Sequence, residues 1–135
     1  MKRFEEIPHT ADWSFRAFGR NQRELFANAA GAIFELEGAR PVANGKTVER
    51  AVCIAAIDLE SLLVSWLNEL LFLQEQHREV YEQFDFSRLT ETELAARLVG
   101  KPRSQMDKII KAVTFHNLKI DQTRNDWQAV VVVDV

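Results

Sequence analysis

Apolar and polar residues alternate with a period of two along several stretches of this chain and recur at helical spacing along two others. Between residues 13 and 18, Trp13, Phe15 and Ala17 fall on one side and Ser14 and Arg16 on the other, the pattern of a half-buried strand. A short strand over residues 4–7, stopped by Pro8, precedes it, and Gly19 ends it. Asn21 with Glu24 three residues later has the spacing of a capping box. Behind it Leu25, Phe26, Ala29, Ala30 and Ile33 make an apolar stripe whose alanines let a helix lie close to a sheet, and Gly38 and Pro41 mark its end. Alternation returns over 46–56, with Val48, Val52 and Ile54 expected to face the core. Asp58 then caps a second helix, predicted over 59–74, on which Leu59, Leu62, Leu63, Trp66, Leu67, Leu70 and Leu73 form the strongest stripe in the chain. Ile57 and Leu62 are spaced for a hydrophobic staple, Asn68 falls on the outer face and Glu69 on the flank of the stripe.

Residues 80–89 alternate through Phe84 and Phe86, and 94–99 follow, which predicts a hairpin turning near Thr90. The run GKPRSQMDK at 100–108 reads as a polar loop. Two β-rich segments, IIKAVTFHNLKI at 109–120 and WQAVVVVDV at 127–135, flank the polar DQTRND and predict a second hairpin. Four consecutive valines in the last segment imply burial on both faces, hence a strand inside a sheet. Strands gathered toward the end, without strict alternation with helices, favour an α+β fold. The expectation is a single domain over 1–135 with mixed β-sheet layers and two main helices.

Composition narrows the function classes. A chain of 135 residues with 47% hydrophobic and 27% charged residues can fill one core. Its net charge of -3 argues against a nucleic-acid binder acting alone, because phosphate affinity comes from clustered Lys and Arg. The cluster Lys101, Arg103 and Lys108 shares its loop with Asp107, lacks interleaved aromatics, and reads as solvated surface. One cysteine, Cys53, excludes an internal disulfide, and the expected setting is a small buried core residue in a reducing, cytoplasmic compartment. The N-terminus has no apolar run behind its basic residues, as a signal peptide would. The longest apolar stretch is interrupted at Asn68 and Glu69, too early to span a bilayer.

No phosphate loop, nucleophile elbow, HExxH or CxxC pair is present. The candidates for chemistry are polar residues at strand ends. Asp12 closes the polar corner His9-Thr10-Ala11-Asp12, where it can serve as an ordinary turn aspartate or as a ligand. Asp134 shares a parity with Val130 and Val132, and the carboxylate of Val135 lies beside it. If the fold brings Asp12 to the same place, their mutual repulsion calls for a proton or a hard cation such as Ca²⁺, Mg²⁺ or Mn²⁺. Lys111, expected within an apolar strand, can snorkel or present a fixed cation. His116 has the opposite parity and reaches the same side only through a bulge. His9 and His116 each read as a hydrogen-bonded structural residue or a supporting polar group, and a Cys53–His116 nucleophilic pair has no motif behind it.

Four stretches taken together resemble the archease family: His9-Thr10-Ala11-Asp12, Trp66-Leu67-Asn68-Glu69-Leu70-Leu71, Ile110-Lys111-Ala112-Val113-Thr114-Phe115-His116-Asn117-Leu118, and Val133-Asp134-Val135. Their order and spacing match over nearly the whole chain. The resemblance implies a small α+β protein that is itself no enzyme. It would serve as cofactor of the RtcB-type tRNA-splicing RNA ligase, promoting guanylylation of the ligase histidine and repeated turnover. It further implies a divalent cation, Ca²⁺ in the family with Mg²⁺ or Mn²⁺ as alternatives, on Asp12, Asp134 and Val135. It implies a role in ligase activation for Asp12, Lys111 and Asp134, and RNA contact that is indirect or weak. Pro8, where many relatives carry Glu, and Lys101, where the family loop is usually acidic, depart from the pattern. The competing readings are a chaperone-like module that binds exposed segments, and a metal-dependent phosphoester hydrolase using Asp12, Asp134 and His116.

Overall fold

The valine run lies in the interior of a four-stranded antiparallel sheet. The computed structural model describes residues 2–7 and 13–135, with the main chain alone at Asn117. Its elements are β1 (Phe4–Ile7), β2 (Trp13–Gly19), α1 (Gln22–Leu36), β3 (Arg40–Pro41), β4 (Val48–Ala55), α2 (Leu59–His77), β5 (Glu79–Leu89), β6 (Glu93–Gln105), β7 (Ala112–Gln122) and β8 (Trp127–Asp134). The first sheet has the order β1-β2-β8-β7. In it Val131 and Val133 are 0% and 2% exposed on the core face, and Val132 is only 8% exposed on the other. The second sheet is built on β6, which pairs with β3, β4 and β5. Every strand pair among the described residues is antiparallel, and with two helices the fold is α+β.

Both helices touch both sheets, and one hydrophobic cluster joins all the layers. Asn21 caps α1 by accepting the Glu24 N–H at 2.9 Å, while the Glu24 carboxylate turns back to the N–H of Arg20 at 3.1 Å. Asp58 caps α2 through the Ser61 N–H at 2.8 Å. The Trp66 indole of α2 donates to the Phe26 carbonyl of α1 at 3.0 Å, so this large side chain is buried with its polar atom satisfied. Trp66 also packs against Phe84 and Phe86 of β5. Full burial of side chains such as Leu62, Leu67 and Phe26 stabilises the fold by about 1.5–3 kcal/mol each.

Several expectations are corrected. Residues 100–105 are not loop: β6 continues to Gln105 and picks up the two-residue β3, which the alternation did not announce. Gly100 permits this, since a Cβ there would sit 2.1 Å from the Val80 carbonyl oxygen of the neighbouring strand. The second helix runs three residues further, to His77, and closes on Arg78 in the left-handed region. Ile57 is 87% exposed, so the staple with Leu62 does not form. Cys53 is exposed as well, because the alternation of β4 that buries Val52 turns Cys53 outward.

Candidate functional site

Strand pairing brings three chain segments to one edge of the first sheet. Val133 pairs with Trp13 at the start of β2 and with Val113 near the start of β7, and Asp134 pairs with Ala112. Lys111 therefore precedes β7 rather than lying inside it, and its main-chain N–H donates to the Asp134 carbonyl at 2.7 Å. The side chains of Lys111, Asp134 and Val135 are all exposed. Asp134 continues the face of Val130 and Val132, opposite the core-facing Val131 and Val133. A second ammonium lies over the start of β2: Lys108 Nζ stands 4.4 Å from the centroid of the Trp13 ring. The indole N–H of Trp13 donates to the Glu6 carboxylate of β1.

The segment carrying both lysines is held from beneath by one residue. Glu37, 1% exposed at the end of α1, accepts three of its N–H groups. Its main-chain carbonyl takes those of Asp107 and Lys108 at 2.8 and 3.1 Å, and its carboxylate Oε2 takes that of Ile110 at 3.0 Å. Gly38 makes the close approach possible: its φ is +66°, and a Cβ there would meet Asp107 Oδ2 at 2.3 Å. Burial pushes the Glu37 carboxyl above its ordinary pKa. The Ile110 N–H, the Gln74 amide and the charge of Arg103 pull it back, and Glu75 adds to the rise. Gln74 is near enough to act on the carboxylate, yet neither Glu37 Oε1 nor Gln74 Nε2 has a hydrogen-bond partner of good geometry.

A second clamp comes from α2. Asn68 accepts the Val113 N–H at 2.8 Å and donates its amide to the Val113 carbonyl at 3.1 Å. One side chain thus stands in for a strand neighbour on the outer side of β7, a sheet edge that would otherwise present unpaired groups. Asn68, expected on the outer face of its helix, faces this strand instead.

Among the residues singled out by sequence, Lys111, Asp134 and Val135 have their main chains brought together, with no ion pair between the Lys111 and Asp134 side chains. Asp12 and His9, and Pro8 with them, lie outside the described residues; the strand that follows them begins with Trp13, opposite Val133. His116 is exposed, its N–H donating to Thr114 Oγ1 at 3.2 Å. It sits on a wide bulge: Thr114 pairs with Val132 and Lys119 with Val130, so β7 takes five residue steps where β8 takes two. Cys53 belongs to the other sheet, and no Cys53–His116 pair exists. Arg103, expected on solvated surface, has a side chain only 13% exposed. Sequence reasoning missed Glu37, whose only local sign is an acid just before the helix-ending glycine.

The Asp134 carboxylate and the main-chain oxygen of Val135 are donors of the kind a hard divalent cation takes. Among the described residues no group of three His, Cys, Asp or Glu is gathered around one point. A third donor would have to come from elsewhere; β2, which begins one residue after Asp12, starts at this edge.

The model of the Archease protein family (MTH1598/TM1083) matches residues 4–135. "Protein archease" of Methanosarcina acetivorans is 39% identical over 142 residues, covering 99% of this chain and 97% of the relative. That of Sulfurisphaera tokodaii is 34% identical and covers 100% of both. The solution structure of Methanobacterium thermoautotrophicum protein 1598 superposes with a TM-score of 0.76 at 31% identity, covering 100% of both chains. An archease from Thermotoga maritima, described as a possible chaperone, shares the fold with a TM-score of 0.72 at 21% identity, covering 96% of this chain and 94% of that one.

Proposed function

Because this chain belongs to the archease family, we propose that it activates an RtcB-type tRNA-splicing RNA ligase without being an enzyme itself. It promotes guanylylation of the ligase histidine and so sustains multiple turnover in tRNA splicing and RNA repair. The observation that supports this reading is the convergence of Lys111 with Asp134 and Val135 on one exposed edge whose main chain is pinned by Glu37 and Asn68. A main chain held in place before the partner arrives limits the reorganisation needed to bring these charges to a charge-developing step. Lys111 presents an ammonium to an anionic group of the ligase–nucleotide complex, and Asp12, Lys111 and Asp134 act together.

Asp12, Asp134 and Val135 would hold a divalent cation, Ca²⁺ or else Mg²⁺ or Mn²⁺, which supplies a compact positive charge and neutralises the acids. RNA touches the ligase, with little or no contact to this protein, in keeping with its net charge of -3. No helix of the described residues is long and apolar enough to cross a membrane, and the site of action we propose is the cytoplasm.

The test is ligase–GMP formation. A cognate ligase incubated with GTP and Mn²⁺ should label faster with this protein than without, and no faster with the Lys111→Ala or Asp134→Ala variant. Equal labelling in all reactions rejects the reading. The chaperone-like alternative draws support from three exposed apolar side chains, Phe72, Ile109 and Phe115. It predicts suppression of aggregation of an unrelated unfolded chain, unaffected by either substitution.

A further inference from the structure

Phe72 is 57% exposed on a helix whose Leu62, Leu63, Trp66, Leu67 and Leu70 are all buried, so it lies off the face that builds the core. Ile109 is 50% exposed in the segment leading to β7. The two line one surface groove of 450 Å³, together with Leu71, Ile110, Glu75 and Lys111. Ile110 and Leu71 are 3% and 5% exposed. Its walls are fixed: Glu37 holds the Ile110 N–H and Asn68 holds Val113, so the groove is formed before anything enters it. Glu75 lies 3.8 Å from the Arg103 guanidinium, while the exposed Lys111 supplies a positive charge to the lining.

We propose that this groove is the anchoring half of the partner interface. It takes one large apolar side chain of the ligase, of the leucine or phenylalanine kind, packed between Phe72 and Ile109. This rests on the activator reading above, and is argued from continuity: Lys111 lines the groove and its main chain is bonded to Asp134, so the groove adjoins the acidic edge and one partner can reach both. Labour is then divided. Phe72 and Ile109 supply affinity through desolvated apolar contact, and the charged edge supplies the effect on turnover.

The experiment titrates activator against a fixed amount of cognate ligase in multiple-turnover ligation. The Phe72→Ala/Ile109→Ala variant should need about tenfold more protein for half-maximal activation and reach the same plateau. Lys111→Ala should lower the plateau. The unfolding midpoint of the double variant is compared with the wild type, and the single variant Phe72→Ser, altering a position outside the core, serves if the double variant is unstable. A half-maximal concentration unchanged in the groove variants while Lys111→Ala is inactive overturns the groove and spares the activator reading. A fully active Lys111→Ala overturns the reading beneath it. A groove that instead seats a second copy would show a dimer in sedimentation that the double variant dissolves, with no rise in the half-maximal concentration; that result also overturns the proposal.

Discussion

The main-chain N–H of Lys111 donates to the Asp134 carbonyl at 2.7 Å, a bond that alanine at either position leaves in place. Both side chains are exposed. Lys111→Ala and Asp134→Ala should therefore change the unfolding free energy by no more than about 0.5 kcal/mol. Urea unfolding of the two variants checks this. A loss several times larger would mean that the edge serves the fold and that function tests on these variants report unfolding.

Glu37 should behave in the opposite way. Replacing it with Leu leaves the buried Ile110 N–H without an acceptor, at a cost of about 1–3 kcal/mol. Gln keeps an acceptor of the same shape and should cost less. The raised pKa fixes the sign of the pH dependence. The folded state binds this proton more tightly than the unfolded chain, so the contribution is fully present below the ordinary value of 4.5 and is lost as pH rises through the folded value. Stability of the wild type relative to Glu37→Gln should accordingly fall across that window, measured as paired unfolding curves at successive pH values.

At the other sheet the sign reverses. Arg50 grips Glu79 with two hydrogen bonds of 2.9 and 2.8 Å, and the Tyr81 hydroxyl donates to the same carboxylate at 2.8 Å. The guanidinium is the main cause holding the Glu79 carboxyl below its ordinary 4.5, and the burial that opposes it is the smaller effect. This contribution is present above 4.5 and is lost as pH falls through the folded value. Arg50→Ala would leave a carboxylate 6% exposed without its partner, costing about 3 kcal/mol. That is the low end for a buried pair, because the Arg50 side chain is 34% exposed. The low-pH limb of acid unfolding should be shallower in a Glu79→Gln variant, with Glu5, Glu24 and Asp58 also held below their ordinary values and carrying part of what remains.

Asn68→Ala removes both hydrogen bonds to Val113 and opens the outer side of β7. The expected loss is about 2 kcal/mol, most of it from the two unpaired main-chain groups. Amide exchange distinguishes this from general loosening. Val113 should exchange much faster in the variant, while Val131, held in the sheet interior, should keep its protection relative to global unfolding. Asn68→Asp restores the acceptor for the Val113 N–H but sets a carboxylate against the Val113 carbonyl, and should not rescue.

The features legible in the sequence are those whose cause is local. Asn21 with Glu24, Asp58 before its leucine stripe, and the hairpin turn at Thr90 each depend on partners within a few residues. The valines of β8 announced their place because burial on both faces leaves few other options. The hairpin of β7 and β8 likewise brought Lys111 beside Asp134. What stayed hidden depends on distant partners. Glu37 meets Ile110 across 73 residues and Asn68 meets Val113 across 45, and neither separation leaves a periodic trace. Cys53 and Ile57 depart from expectation for a different reason: apolar character favours burial, but strand parity turns Cys53 outward and Ile57, just before the α2 cap, is 87% exposed. The bulge after Thr114 breaks the two-residue period that would relate Lys111 to His116.

The most direct measurement is the number of ligations completed per ligase molecule under substrate excess, with GTP and Mn²⁺, in the presence of wild-type protein or of a folded Lys111→Ala/Asp134→Ala variant. The charged edge as activator predicts many turnovers with the wild type and, with the variant, no more than ligase alone completes. Equal turnover with both proteins would contradict it.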